Sequence, residues 1–208
     1  MRDRSNPFVA SEGMPFLAIA AFAMIVSWNY CSLACTIIPL LVFVWVYLIF
    51  RDPMRKSPAA PLGVLSPVDG TVIEVRRTTG GCLNREAHKI IIEVNSLGTY
   101  TARCPSEGKI MDLRVSKREG TVACPEHGLW VQTDEGDDVV LQFHGHRFRI
   151  APLAFLGYGE RVGQGQRCAY LRFTRRAEIE LSIDSRIMVQ AGQKVLAGVD
   201  ILGKLPKP

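Results

Sequence analysis

The chain has 208 residues, 48% of them hydrophobic and 22% charged, with a net charge of +5 at neutral pH. That length holds one domain of ordinary size plus an appendage. A positive balance suits anionic lipid headgroups or nucleic acid, but no basic helix or aromatic-interleaved motif accompanies it, and nucleic acid is excluded as a partner.

In chain order, residues 1–13 form a short tail that carries Arg2 and Arg4. From Met14 to Phe50 there is no charged residue, and a water-soluble chain has nothing to solvate so long a run. A helix needs roughly 20 apolar residues to cross a bilayer, so 14–50 reads as a membrane anchor. It can be one span with a long apolar entry or two short helices. Asn29 lies mid-run, Pro39 interrupts the second half, and Arg51, Arg55 and Lys56 follow. Basic flanks stay on the cytoplasmic side, so the expectation is a transmembrane helical hairpin in the cell inner membrane, with both ends and the following domain facing the cytoplasm. A cleaved signal peptide is excluded, because the run exceeds an h-region of about 7–15 residues and lacks a small-x-small site.

Residues 51–64 open a proline-punctuated stretch, "RDPMRKSPAAPLGVLSP", and read as an extended tether. Residues 65–208 are strand-like. "GTVIEVRR", "HKIIIEVN", "LWVQTD", "DVVLQFHGHRFRI", "CAYLRF" and "AEIELSI" are short alternating or β-branched runs bounded by Gly, Asp and Asn. The fold class is mostly β. A weak repeat, V-x-x-G-Q followed by a strand, occurs in 158–173 and again in 187–205. With "LSPVDGTVIEV" these pieces resemble lipoyl- and biotinyl-type half-barrels. Lys194 and Lys204 sit in strand-like contexts rather than at a carrier turn, so a carrier function does not follow.

Six cysteines show no C-x-x-C pair and therefore no legible zinc or redox framework; reduced, structural thiols are expected. "HGH" at 144–146 puts two imidazoles on one strand face. Without a visible third ligand they read as polar strand residues, and no metal is expected. His127 in "PEHGLW" and His88 at a strand start are similarly unassigned.

The order of motifs carries more than any one of them: an apolar hairpin, then "FRDPMRKSP", "LSPVDGTV", "LGTYTARCPSEGKI", "GERVGQGQRCAYLRF" and "VQAGQKVLAGVDILGKL". This order resembles the short, membrane-anchored form of phosphatidylserine decarboxylase from about Pro15 onward. The resemblance implies a proenzyme in which a serine attacks the preceding glycine carbonyl, splits the chain and becomes a pyruvoyl group. That ketone condenses with the substrate amine and accepts the electrons released with CO₂. Asp, His and Ser would share the maturation chemistry.

Carried over residue by residue, the family aspartate is Asp69. The family's H-V-N-R-x-P reads "YTARCP" here; Arg103 and Pro105 hold the register, and Tyr100 stands in place of the histidine. R-F-G-S-R reads "RFTRR", Arg172 to Arg176, with Thr174 at the glycine and Arg175 at the serine. No Gly-Ser dipeptide occurs in the chain. Arginine has no hydroxyl to attack with, and tyrosine, with a free pKa near 10, is a poor base. No cofactor is therefore expected. In an alternative register Thr174 takes the serine position after Phe173 and would yield a 2-ketobutyryl group, keeping an active decarboxylase that makes phosphatidylethanolamine as the second reading. A related active chain supplying the serine is a third.

Asp69 before Gly70 is also ordinary turn chemistry. Arg103, Arg172, Arg175 and Arg176 could grip a phosphate or carboxylate, or simply charge a solvated edge strand. The expected partners are the membrane, anionic phospholipid, and other subunits of a membrane complex or further copies of this chain.

Overall fold

The computed structural model describes residues 9–10, 13–30, 33–79, 81–82, 84–95, 98–112, 128–145, 152–171 and 174–206. The chain divides into two compact units, Met1–Met54 and Arg55–Pro208.

The first unit is a helical hairpin, α1 (Met14–Tyr30) and α2 (Leu33–Phe50). Its ends meet. The Ala10 N–H donates to the Phe50 carbonyl at 2.8 Å, Val9 bridges Arg51, and the Phe16 ring stacks on Phe50 with centroids 5.5 Å apart. Asn29 is absorbed into α1 by donating to the Ile25 carbonyl at 2.8 Å. Apolar side chains such as Phe22, Trp28, Leu41 and Trp45 are exposed.

The expected transmembrane hairpin is corrected here. Among the described residues no helix is long and apolar enough to cross a membrane. At about 1.5 Å per residue, the 17 residues of α1 and the 18 of α2 reach about 26–27 Å, short of a hydrocarbon core about 30 Å thick. Pro39 lies inside α2, where it removes a ladder hydrogen bond. An uncharged run of sufficient total length is thus divided into two elements that each fall short.

The second unit is β throughout its described residues, and every strand pair is antiparallel. A three-stranded sheet runs β1 (Gly63–Leu65), β14 (Ile201–Lys204), β12 (Arg186–Ile187). A second runs β4 (Thr101–Arg103), β10 (Arg167–Tyr170), β8 (Leu153–Ala154). The large sheet has eight strands. Its order is β13 (Lys194–Val195), β2 (Gly70–Thr78), β3 (Ala87–Val94), β11 (Arg176–Ser182), β7 (Asp138–His144), β6 (Gly128–Gln132), β5 (Gly108–Asp112), β9 (Arg161–Val162).

Period-2 alternation sets the two faces of this sheet. On β11, Ala177, Ile179 and Leu181 are fully buried and share the core with Ile90, Ile92 and Leu141. Arg176, Glu178 and Glu180 point to the opposite face. The V-x-x-G-Q repeat proves to be one turn used twice. The Gln166 N–H donates to the Gly163 carbonyl at 3.1 Å, and the Gln193 N–H to Gln190 at 3.2 Å. Gly165 and Gly192 take φ of +74° and +87° at the third position, which favours glycine. In each case the glutamine side chain accepts from the first residue's N–H, and β10 or β13 follows.

Cys104 and Cys168 are free and buried. Their mutual hydrogen bond, with burial, pushes the Cys104 thiol well above its usual range. Cys82 is disulfide-bonded, which corrects the expectation of reduced cysteines throughout.

Candidate functional site

The S-P-V-D-G turn joins β1 to β2 and is fixed from several sides. Ser66 Oγ donates to the Val68 carbonyl at 2.8 Å, the Ser66 N–H to Asp200 at 2.8 Å, and the Arg103 N–H to the Pro67 carbonyl at 2.9 Å. Gly70 is needed because a Cβ there would lie 2.1 Å from the Glu93 carbonyl oxygen. The turn carries Asp69 inward, where the residue is 4% exposed.

The Asp69 carboxylate is fully engaged. Oδ2 accepts from the Thr99 N–H at 3.1 Å and from the Thr99 hydroxyl at 2.9 Å; Oδ1 accepts from the Ala197 N–H at 2.8 Å. Arg55, from the tether, closes a two-point ion pair on both oxygens, with Nη2 2.7 Å from Oδ2. Arg55 Nη1 also donates to the Ala197 carbonyl at 3.0 Å. Burial alone would push the Asp69 carboxyl up, but the bonds from Arg55, Ala197 and Thr99 together hold it below its ordinary value.

Tyr100 follows Thr99 and is buried. Its carbonyl accepts from the Leu171 N–H at 2.7 Å, which brings in the segment that leads to Thr174. Thr174 is 3% exposed. Its N–H donates to the Leu171 carbonyl at 3.0 Å, and its hydroxyl donates to that same carbonyl. The Arg175 carbonyl accepts from the Val94 N–H at 2.8 Å, and the Asn95 N–H donates to the Asp69 carbonyl, also at 2.8 Å. Asp69, Tyr100 and the Thr174–Arg175 pair thus meet through one web of backbone hydrogen bonds, although they are far apart in sequence.

The arginines divide. Arg175 and Arg176 are exposed. Arg103 is 2% exposed, donates to the Gly165 carbonyl at 3.3 Å and fills the space beside Gly198. Arg172, Phe173, His127 and His146 lie outside the described residues. His144 is described, and its ring faces a carboxylate: Nε2 is 3.4 Å from Glu178 Oε2 and 3.4 Å from Gln142 Oε1.

That ring belongs to a polar cluster on the outer face of β3, β11 and β7. Lys89 Nζ lies 2.9 Å from both Glu178 and Glu180. Glu180 is fully buried and also accepts from the Cys82 N–H at 2.8 Å. The His144 hydrogen bond, opposed by burial and reinforced by Lys89, lowers the Glu178 carboxyl to about 2. Both this cluster and Arg55 escaped the sequence reading. For Arg55 the signal was a cation beside the tether's prolines. For the cluster it was the alternation of E-I-E, whose partners only cross-strand register supplies.

The Thr174 hydroxyl donates to the Leu171 carbonyl, and the next residue, Arg175, carries no hydroxyl. These residues do not fit a serine-derived pyruvoyl group.

No family model matches the chain. Among curated proteins, the "Phosphatidylserine decarboxylase proenzyme" of Burkholderia ambifaria is 32% identical over 209 residues, covering 96% of this chain and 97% of its own length. The chain belongs to the phosphatidylserine decarboxylase family. The proteins of that name from Burkholderia cenocepacia and Burkholderia multivorans agree to the same extent. Among solved structures, glucose permease IIA from Mycoplasma capricolum covers 68% of this chain and 94% of its own, with 20% identity and a TM-score of 0.47.

Proposed function

We propose that this chain is a phosphatidylserine decarboxylase-family protein that does not process itself and does not decarboxylate, and that it binds anionic phospholipid at a membrane surface. The observation that carries the reading is the pairing of Asp69 with Arg55 beside a Thr174–Arg175 pair. The family aspartate serves as an anchor for the tether, and the expected nucleophile position holds a cation. Arg175 and Arg176 offer exposed guanidinium groups to phosphate oxygens. The exposed apolar side chains of the hairpin give lipid a surface that water solvates poorly.

The intact mass of the detergent-purified protein, with hydroxylamine added to a parallel sample to cleave any ester, tests the first half. A single species of full-length mass is expected. Two fragments meeting at Phe173 and Thr174 would overturn the reading and make Thr174 the source of a keto-acyl group.

Vesicle flotation tests the second half. With each basic residue near an anionic surface contributing about 1 kcal/mol, the double substitution Arg175→Gln, Arg176→Gln should weaken binding to phosphatidylserine vesicles roughly 30-fold. Binding that is unchanged in the double variant refutes the assignment of these arginines.

A further inference from the structure

The ladder of β2 and β3 carries a second polar feature at the end opposite Asp69. Gly70 pairs with Val94 near Asp69, and Arg77 pairs with His88 at the far end. Seven residues at about 3.3 Å each put the two ends roughly 20 Å apart. Val75, Arg77 and His88 share the ladder face that carries the buried Ile90, because Val75 pairs with Ile90 and Arg77 with His88. The lysine–glutamate cluster lies on the other face, with Lys89.

Residues 187–190, leaving β12, run over this end of the ladder. The Met188 N–H donates to the Leu202 carbonyl at 2.9 Å, and the Gln190 N–H is held by Gln193 Oε1 at 3.2 Å. Between this segment and the ladder lies a cleft of about 470 Å³ lined by Arg77 and His88 on the ladder side and by Ile187, Met188, Val189 and Gln190 on the other. Among the described residues, no carboxylate lies within ion-pair distance of Arg77 or His88. Met188 is 50% exposed toward solvent.

We propose that this cleft binds a phosphate monoester carrying an apolar or partly apolar arm. The Arg77 fork, a His88 ring N–H and the Gln190 amide can donate together to phosphate oxygens. Arginine favours such oxyanions because its planar donors match their geometry. The Ile187–Val189 wall faces the substituent. A lipid headgroup and a soluble phosphomonoester share this chemistry. The site goes beyond the reading above and does not depend on it, since neither Arg175 nor Asp69 takes part.

The test is calorimetric titration of the full-length, detergent-solubilised protein with glycerol 3-phosphate and with dihexanoyl phosphatidic acid below its micellar concentration. Arg77→Gln and His88→Gln should each weaken binding of both probes at least tenfold, while melting temperature stays unchanged. Arg161→Gln, at an exposed arginine that pairs with Asp134, should leave binding as it was. If the dihexanoyl lipid binds more tightly and Met188→Ser removes only that gain, the cleft reads a lipid headgroup. If the two probes bind alike and Met188→Ser changes neither, it reads a soluble phosphomonoester. Absence of binding at millimolar probe, or binding indifferent to both Arg77→Gln and His88→Gln, overturns the proposal. Vesicle flotation reads Arg175 and Arg176, whereas the titration is judged by Arg77→Gln and His88→Gln, so the two readings fail separately.

Discussion

Replacing Asp69 with alanine should destabilise the β domain by about 3–5 kcal/mol, the cost of leaving one partner of a buried ion pair uncompensated. The pair is well shielded, with side-chain exposures of 13% for Arg55 and 6% for Asp69. The substitution would also strand the Thr99 and Ala197 N–H groups, whose described acceptor is this carboxylate, and a buried unsatisfied donor is itself costly. With a urea slope of about 2 kcal/mol/M, the midpoint should fall by about 1.5–2.5 M. Asp69→Asn keeps an acceptor and should cost less. A double-mutant cycle with Arg55→Ala separates the pair from the N–H bonds. If Asp69→Ala shifted the midpoint by less than 0.5 M, equivalent to about 1 kcal/mol, the carboxylate would not be the clamp described here. This role gives Asp69 a structural reason to be present, as the anchor of the tether.

The second large effect concerns Lys89. Its ammonium lies between Glu178 and Glu180 at 2.9 Å from each; burial depresses its pKa, but hydrogen bonds to the two carboxylates outweigh that and raise it. Lys89→Met removes the cation and leaves two carboxylates on one face, Glu180 with no solvent access. A loss of about 3–5 kcal/mol at neutral pH is expected. The pH dependence identifies the cause. In the wild-type protein the folded Glu178 carboxyl titrates at about 2, below its ordinary 4.5. Its contribution is therefore complete above the unfolded value and is lost as pH falls from there through about 2. In the variant, protonating Glu178, which keeps only its His144 contact, relieves the repulsion, so the gap between the two proteins should narrow as pH drops below 4.5. Urea midpoints from pH 7 to pH 3 measure it. A gap that stays constant with pH would assign the loss to packing of the lysine stem instead of its charge.

Local chemistry wrote several features directly into the sequence. β-Branched alternation marked the strands of residues 65–208, and V-x-x-G-Q marked a turn that recurs with the same positive-φ glycine. The ordered motifs carried the family. All of these depend on a residue and its near neighbours, so a linear reading reaches them.

Other features depend on residues far apart in the chain. Arg55 reaches Asp69 from the tether, and Lys89 finds Glu178 and Glu180 because antiparallel register sets it opposite Glu180. The cleft at Arg77 exists only because residues 187–190 return over that end of the ladder. The hairpin shows the reverse case. Total apolar length argued for crossing a membrane, but the chain divides it between two helices of 17 and 18 residues, and crossing depends on the reach of each element. Composition therefore decided which residues avoid water and which maturation groups the chain can offer. Tertiary structure decided which charges meet, because pairing across a sheet is a property of register and not of sequence distance.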